Sequence, residues 1–324
     1  MNNTDIEYLK ILKILVDKSK EGHLKNDRTN TGTFSIFGVQ SEYNFLEGFP
    51  ILTSKKISFK SILVELLWFL GNHLNEEKYL KFGRTNIRFL LDNNVNIWNE
   101  WPYKHYLISN NLNVSNTSSI EWIEGLKDFV NNLKNDDVFC EKWGSVGVEA
   151  YGKQWRDFNG FDQIEYVINT LKNNPDSRRI IVNSWNPKEV LTNSILPPCH
   201  YSFEFNTEKN IYTDKRFLNL KFIMRSNDYF LGNPFNFTSY SLLCAMIAQC
   251  VDMLPNRIIV SLGDCHLYSN HVDQAKEQLS REIIHKLPIL KLNSNIKNIN
   301  DFTIKDIELL NYQSHSAIKA PIAV

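Results

Sequence analysis

An excess of charge of either sign is what this 324-residue chain lacks most plainly, since 36 Lys and Arg stand against 36 Asp and Glu. No basic stripe breaks the balance, which argues against a chain held to nucleic acid by bulk electrostatics. Glycine (13) and proline (10) are sparse, and there is no Gly/Ser linker, internal repeat or long run of like charge. The five cysteines (Cys140, Cys199, Cys244, Cys250 and Cys265) form an odd set without a C-x-x-C pair. Neither a disulfide framework nor a cysteine zinc site is suggested, and a reducing compartment is. The longest apolar runs, around residues 62–70 and 242–251, fall short of the roughly 18 residues of a membrane span. Residues 1–16 carry Asp5 and Glu7 and lack the basic start and apolar run of a signal peptide, so a cytoplasmic protein is expected. There is no G-x-G-x-x-G opening a helix, no Walker A loop and no His pair at zincin spacing. No metal, flavin or NAD(P) is therefore expected.

What is present is an ordinary globular composition, 43% apolar and 22% charged, which excludes disorder for most of the chain. The length suffices for a substantial core, and the simplest organisation is one domain over residues 1–324 with variable insertions near 72–84 and 102–141. Thr4-x-x-Glu7 reads as a capping box opening a helix whose apolar face is Ile6, Leu9, Leu12, Ile14 and Val16. Residues 33–44 read as a strand, 61–70 as a buried helix, and the Asn- and Ser-rich 109–119 as an exposed loop. Ser118-x-x-Glu121 caps a helix with Trp122, Leu126, Phe129 and Leu133 on one face, and 163–171 is a further helix carrying Ile164, Val167, Ile168 and Leu171.

Thereafter strands dominate. Residues 179–185 are β-like, 201–206 and 217–226 alternate as the arms of a long hairpin, 239–251 is an apolar helix, 257–262 a strand and 271–282 helical. Helices and long strands in irregular order predict an α+β fold rather than a regular βαβ winding.

Cys199, after Leu196-Pro-Pro, has two readings: a small buried hydrophobe, or a nucleophile with cationic neighbours. Arg178, Arg179 and Arg225 are candidates for that electropositive setting, although paired arginines are more often surface charges. Glu65 sits on an apolar helix among Leu63, Leu66, Leu67 and Trp68, where an unpaired carboxylate is costly unless it is hydrogen-bonded or used. His266 and His271, five apart, each read in isolation as structural histidines.

The combination is more specific than its parts. The segments are Asp27-Arg-Thr-Asn-Thr-Gly-Thr33, Ser61-Ile-Leu-Val-Glu-Leu-Leu-Trp-Phe-Leu70, Asn96-Ile-Trp-Asn-Glu-Trp101, Tyr151-Gly-Lys-Gln-Trp-Arg156 and Asp176-Ser-Arg-Arg-Ile-Ile-Val182. They continue with Leu196 to His200, Arg225-Ser-Asn-Asp228, Leu231-Gly-Asn-Pro-Phe-Asn236, Gly263-Asp-Cys-His-Leu-Tyr268 and Ile318-Lys-Ala-Pro-Ile-Ala-Val324. In this order they closely resemble the folate-dependent thymidylate synthase family, from about Lys25 to the final residue.

That resemblance implies a methyltransferase that converts dUMP to dTMP with 5,10-methylenetetrahydrofolate as carbon source and reductant, leaving dihydrofolate. It implies a large mixed β-sheet flanked by helices, and a homodimer through the sheet. Carried over residue by residue, Cys199 attacks C6 of the uracil ring; Glu65 and Tyr151 serve proton transfer; His200 is a neighbour of the nucleophile. Arg28 and Arg225, with Arg178 and Arg179 from the partner subunit, hold the phosphate, and Ser226 adds a hydrogen bond. His266 and Tyr268 bind the deoxyribose hydroxyl, Asn236 reads the base edge, and Asp228 borders both ligands. Trp98, Asp228, Leu231 and Val324 contact the folate, and residues 320–324 form a lid. No membrane and no obligate nucleic acid partner is implied.

Departures from the family pattern are an apparent insertion at 72–84, Val146-Gly-Val-Glu149-Ala150 before Tyr151, Asn99, Glu204 and Asn233. The closest rival is a dUMP or dCMP hydroxymethylase of the same family, in which water captures the intermediate; those acting on dCMP carry Asp at the position of Asn236. A non-catalytic nucleotide- or RNA-binding paralogue is the third reading.

Overall fold

The computed structural model describes residues 2–27, 31–113, 116–192 and 194–321, the side chain of Glu149 excepted. Its helices are α1 (Asn3–Lys20), α2 (Phe59–Leu70), α3 (Glu77–Leu80), α4 (Arg88–Asp92), α5 (Glu100–Ser109) and α6 (Ile120–Asn135). They continue as α7 (Asp137–Trp143), α8 (Tyr151–Arg156), α9 (Gln163–Asn173), α10 (Pro187–Val190), α11 (Gly232–Cys250) and α12 (Val272–Leu279). The strands are β1 (Thr33–Asn44), β2 (Ile181–Asn183), β3 (His200–Lys209), β4 (Arg216–Asp228), β5 (Leu254–Tyr268), β6 (Ile289–Leu292) and β7 (Ile307–Leu310).

The alternation expected in 201–206 and 217–226 is realised as the antiparallel pair β3 and β4, with Phe203 opposite Phe222. A five-stranded mixed sheet runs β1-β5-β4-β3-β2. Among the described residues only β4 and β5 pair in parallel, joined by the crossover helix α11. The directions matter for function: β4 and β5 end at the same edge, where antiparallel β1 and β3 begin. Thr33, His200, Arg225–Asp228 and Asp264–Tyr268 are thus gathered at one edge by topology alone. β6 and β7 form a separate two-stranded sheet. This is a single-domain α+β fold, as expected.

One face of the sheet is the core. Phe203, Phe205, Leu220, Phe222, Met224, Ile258, Val260 and Leu262 are buried beneath α11, which is apolar almost all round as a helix covered on every side must be. On the opposite face Phe37 is 87% exposed, Ile181 is exposed, and Tyr201, Ile223 and Ile259 are half-covered.

Two caps differ from expectation. Helix α1 is capped by Asn2, not Thr4: the Asn2 side chain accepts the Asp5 N–H at 3.1 Å. Asp5 is itself buried, accepting the N–H groups of Thr53 and Ser54 at 2.9 Å each. The buried face of α1 is Tyr8, Ile11, Leu12, Leu15 and Val16, so Ile6 and Ile14 lie outside it. Helix α6 is capped by Ser119, whose Oγ accepts the Trp122 N–H, while Ser118 belongs to the preceding turn through Asn116. The faces expected for α6 and α9 are otherwise those that pack. Residues 72–84 fold as a 3₁₀ turn and α3, with His73, Tyr79 and Phe89 in ring contact. Among the described residues no helix is long and apolar enough to cross a membrane.

Candidate active site

Pro197 and Pro198 bring the chain in irregular form to Cys199, immediately before β3. A register shift between His200 and Ser202 marks an extra residue there. Arg225, on neighbouring β4, donates from Nη2 to the Pro197 carbonyl (2.7 Å) and from Nε to that of Pro198 (3.0 Å). The same Nη2 stands 3.9 Å from the Cys199 sulfur, supplying the cationic neighbour that a cysteine nucleophile requires. Gly263 of β5 lets the backbones approach here: a Cβ on it would lie 2.8 Å from the Arg225 carbonyl oxygen.

Behind the cysteine, the Cys199 N–H donates to the Tyr151 hydroxyl at 3.0 Å. Tyr151 opens the short helix α8, held close to α2 because Gly152 has no side chain; a Cβ would meet the Phe69 carbonyl oxygen at 2.3 Å. Burial, then the neighbouring Cys199, pushes the Tyr151 phenol well above its ordinary value, so it keeps its proton. His200 stacks on Tyr151 with centroids 3.5 Å apart, and its Nδ1 meets the Tyr240 hydroxyl at 2.8 Å. Burial lowers the His200 pKa to about 3, so this imidazole is neutral. The positive charge beside Cys199 therefore comes from Arg225 and not from its sequence neighbour.

Glu65, on α2, accepts the indole N–H of Trp98 at 2.6 Å. Although half-exposed as a residue, its carboxyl is enclosed by protein, and that burial raises its pKa from 4.5 to about 7 against the opposing pull of the Trp98 hydrogen bond. Trp98 is buried, packing against Trp68, Phe69 and Tyr151. Glu65, Trp98, Tyr151, His200, Cys199 and Arg225 are thus linked contact by contact.

At the neighbouring strand ends, Asp228 lies opposite His266 and Ser226 opposite Asp264. Asp228 Oδ1 accepts the N–H groups of Phe230 (3.1 Å) and Leu231 (3.0 Å), setting the turn into α11. Asn236, on the first turns of α11, lies 3.5 Å from the Asn227 amide nitrogen. His266 donates from Nδ1 to Asp264 Oδ1 at 3.2 Å and meets the edge of Tyr268 at 5.2 Å. The hydrogen bond from His266, aided by Lys25, lowers the Asp264 pKa to about 2.

Arg178 and Arg179 are not brought to this cluster. Both are exposed before β2, and neither guanidinium has a hydrogen-bond or ion-pair partner among the described residues. Arg28 and Val324 lie outside the described residues. Asp264, Tyr240 and Asn227 were missed in the sequence. Asp264 carried one legible signal, its i, i+2 spacing to His266, which places both on one side of a strand. Among the described residues no group of three or more His, Cys, Asp or Glu could hold a metal ion.

The family model for thymidylate synthase matches residues 7–324. The chain belongs to the thymidylate synthase family. It is 48% identical over 318 residues to the thymidylate synthase of Mycoplasma mobile, covering 98% of this chain and 99% of that one. Similarity to the thymidylate synthases of Aster yellows witches'-broom phytoplasma (47% over 317 residues) and Malacoplasma penetrans (45% over 318) extends over the same shares of each chain. Thymidylate synthase activity, a methyl transfer, follows from membership at this identity and coverage, and the hydroxymethylase alternative is not favoured.

Proposed function

We propose that the chain methylates dUMP to dTMP, taking both the carbon and a hydride from 5,10-methylenetetrahydrofolate and releasing dihydrofolate. The observation that carries this reading is the placement of Cys199 between the Arg225 guanidinium, 3.9 Å from its sulfur, and the Tyr151 hydroxyl on its backbone N–H. The Cys199 sulfur adds to C6 of the uracil ring, which makes C5 nucleophilic toward the one-carbon unit. Once the new carbon–carbon bond has formed, the C5 proton must leave. Tyr151 takes part in that transfer with a phenol held neutral beside the cysteine. Glu65, with a pKa of about 7, is both donor and acceptor at neutral pH. Loss of the C5 proton expels the folate nitrogen from the new carbon and leaves an exocyclic methylene; hydride from the tetrahydrofolate so released then reaches that carbon as the sulfur leaves C6, giving dTMP and dihydrofolate and restoring the Cys199 thiol.

Arg225 and Ser226, with Arg28, hold the nucleotide phosphate; His266, aligned by Asp264, and Tyr268 hold the sugar hydroxyl; Asn236 reads the base. Trp98, Asp228, Leu231 and Val324 receive the folate. The buried indole of Trp98 and the turn that Asp228 braces before Leu231 suit a flat aromatic ligand. Residues 320–324 close over it.

The exposed apolar face of the sheet suits a second copy laid face to face, an arrangement that covers Phe37, Ile181, Tyr201 and Ile223. Arg178 borders a hollow on this face with Ile181, Glu204 and Lys221, so it and Arg179 are available to the partner's phosphate site. The homodimer works in the cytoplasm, where the five unbridged thiols are at home.

Incubation with dUMP and methylenetetrahydrofolate, followed spectrophotometrically for dihydrofolate, tests the reading. Stoichiometric dihydrofolate and dTMP are expected from the parent and almost none from Cys199→Ser. A 5-hydroxymethyl product without dihydrofolate would overturn it.

A further inference from the structure

Asn227 takes no part in the chemistry set out above, yet this polar side chain is 1% exposed near the end of β4. Its Nδ2 lies 3.1 Å from the Met224 sulfur and 3.5 Å from Oδ1 of Asn236, on the first turns of α11. An amide nitrogen donates, whereas a thioether sulfur and an amide oxygen only accept. Turning the Asn227 amide over would set its oxygen against the sulfur with no proton between them. Met224 therefore fixes the Asn227 amide with its donor toward Asn236, and the Asn236 oxygen is the atom that must face that donor.

The other end of the amide, Asn227 Oδ1, is buried with no hydrogen-bond partner among the described residues. Burying an unpaired polar atom is unfavourable, and a leucine of similar volume would fill the same space without it. Asparagine therefore suits this place through what Nδ2 does rather than through packing.

We infer that Asn227 is a positioning residue which fixes the Asn236 amide in one orientation and so makes the site refuse cytosine. The inference rests on the reading that Asn236 reads the base edge. Uracil presents an acceptor at O4 and a donor at N3, and cytosine presents the reverse. An Asn236 amide free to turn over would satisfy either base, since exchanging its oxygen and nitrogen exchanges donor for acceptor. Held by Asn227, it cannot turn without bringing its own NH2 against the Asn227 NH2, two donors face to face. Discrimination is thus carried by the chain Met224, Asn227, Asn236, of which only the last meets the base.

The test is titration calorimetry of the full chain with dUMP and with dCMP, alongside thermal melting. The parent is expected to bind dUMP roughly tenfold or more tightly than dCMP. Asn227→Leu keeps the volume and loses the donor: the preference should fall about fivefold, chiefly because dCMP binds more tightly, with melting unchanged or higher. A merely structural role for Asn227 would weaken both nucleotides alike and leave their ratio where it was. If the Leu variant fails to fold, Met224→Leu, a volume-conserving change that frees the Asn227 amide to turn, replaces it, with a fall of about twofold expected. A parent-like ratio in the variant would overturn the inference, as would a parent that binds the two nucleotides equally. Asn236→Asp, titrated in the same way, separates the two readings: a ratio it does not move dismisses base reading by Asn236, whereas a ratio moved by Asn236→Asp and not by Asn227→Leu dismisses this inference alone.

Discussion

Substituting Glu65 by Gln should make the protein more stable, and increasingly so as the pH rises. The native carboxyl binds its proton more tightly than the unfolded one, since burial moves its pKa from 4.5 to about 7. Between those values the folded state holds a proton that the unfolded state has released, so raising the pH through this window draws stability out of the parent. A shift of 2.5 units at 1.36 kcal/mol per unit amounts to about 3 kcal/mol. Gln has no such titration, and its amide oxygen can still accept the Trp98 indole N–H. Urea unfolding of both proteins at matched concentration, at pH 5, 6, 7 and 8.5, isolates the effect because every other titrating group is shared. The pH-dependent advantage of Glu65→Gln should be under about 1 kcal/mol at pH 5 and about 3 kcal/mol above pH 8. A difference that stays flat across this range would show that Glu65 titrates like an exposed carboxylate, and would remove its standing as a group poised near neutrality. The same variant should lose nearly all turnover, the gain in stability and the loss of activity having one origin.

Gly152→Ala should destabilise the fold by about 1–3 kcal/mol and depress activity, because the added Cβ meets the Phe69 carbonyl oxygen at 2.3 Å and pushes Tyr151 away from Cys199; chemical denaturation and dTMP formation check it. Asn236→Asp should lower kcat/KM for dUMP and raise it for dCMP, the amide's paired donor and acceptor being replaced by acceptors alone; about tenfold to a hundredfold change in the ratio is expected from one or two buried mismatches, and an unchanged ratio returns Asn236 to a structural role at the start of α11. Mixing inactive Cys199→Ser with inactive Arg178→Ala should restore activity through mixed dimers holding one intact site, and verified subunit exchange without recovery would count against shared sites.

The strands of the five-stranded sheet and the principal helices were legible because their signals are local, whereas the short pair β6 and β7 was not foreseen. The 201–206 and 217–226 alternation became β3 and β4, and Ile164, Val167, Ile168 and Leu171 packed as one helical face. Caps were legible only to within a residue or two. Asn2 outcompetes Thr4 because buried Asp5, held by Thr53 and Ser54, places its N–H opposite the Asn2 side chain, and nothing near residue 4 announces that. Cys199, Glu65, Tyr151 and Arg225 were readable as members of an ordered set of motifs, and they do meet in space. Asp264 and Tyr240 were not, since their pairing with His266 and His200 exists only once β5 and α11 are in position. Arg178 and Arg179 were named from the sequence, but among the described residues no hydrogen bond or ion pair engages either guanidinium.

The strand that lies between β1 and β4, β5, is the last of the five in its sheet to be made. Thr33 of β1 pairs with Tyr268 of β5, 235 residues later (268 − 33). At about 5–20 residues per second on the ribosome, β1 waits roughly 12–47 seconds for the strand that completes its hydrogen bonds. Late in that interval β4 stands without its parallel neighbour, and the apolar underside of the sheet stays uncovered until α11 is complete at Cys250. Contacts of such sequence separation are slow to close even after release. The nascent chain therefore spends its synthesis with open strand edges, and its yield in a cell should depend on chaperone supply and temperature more steeply than the stability of the finished enzyme would suggest.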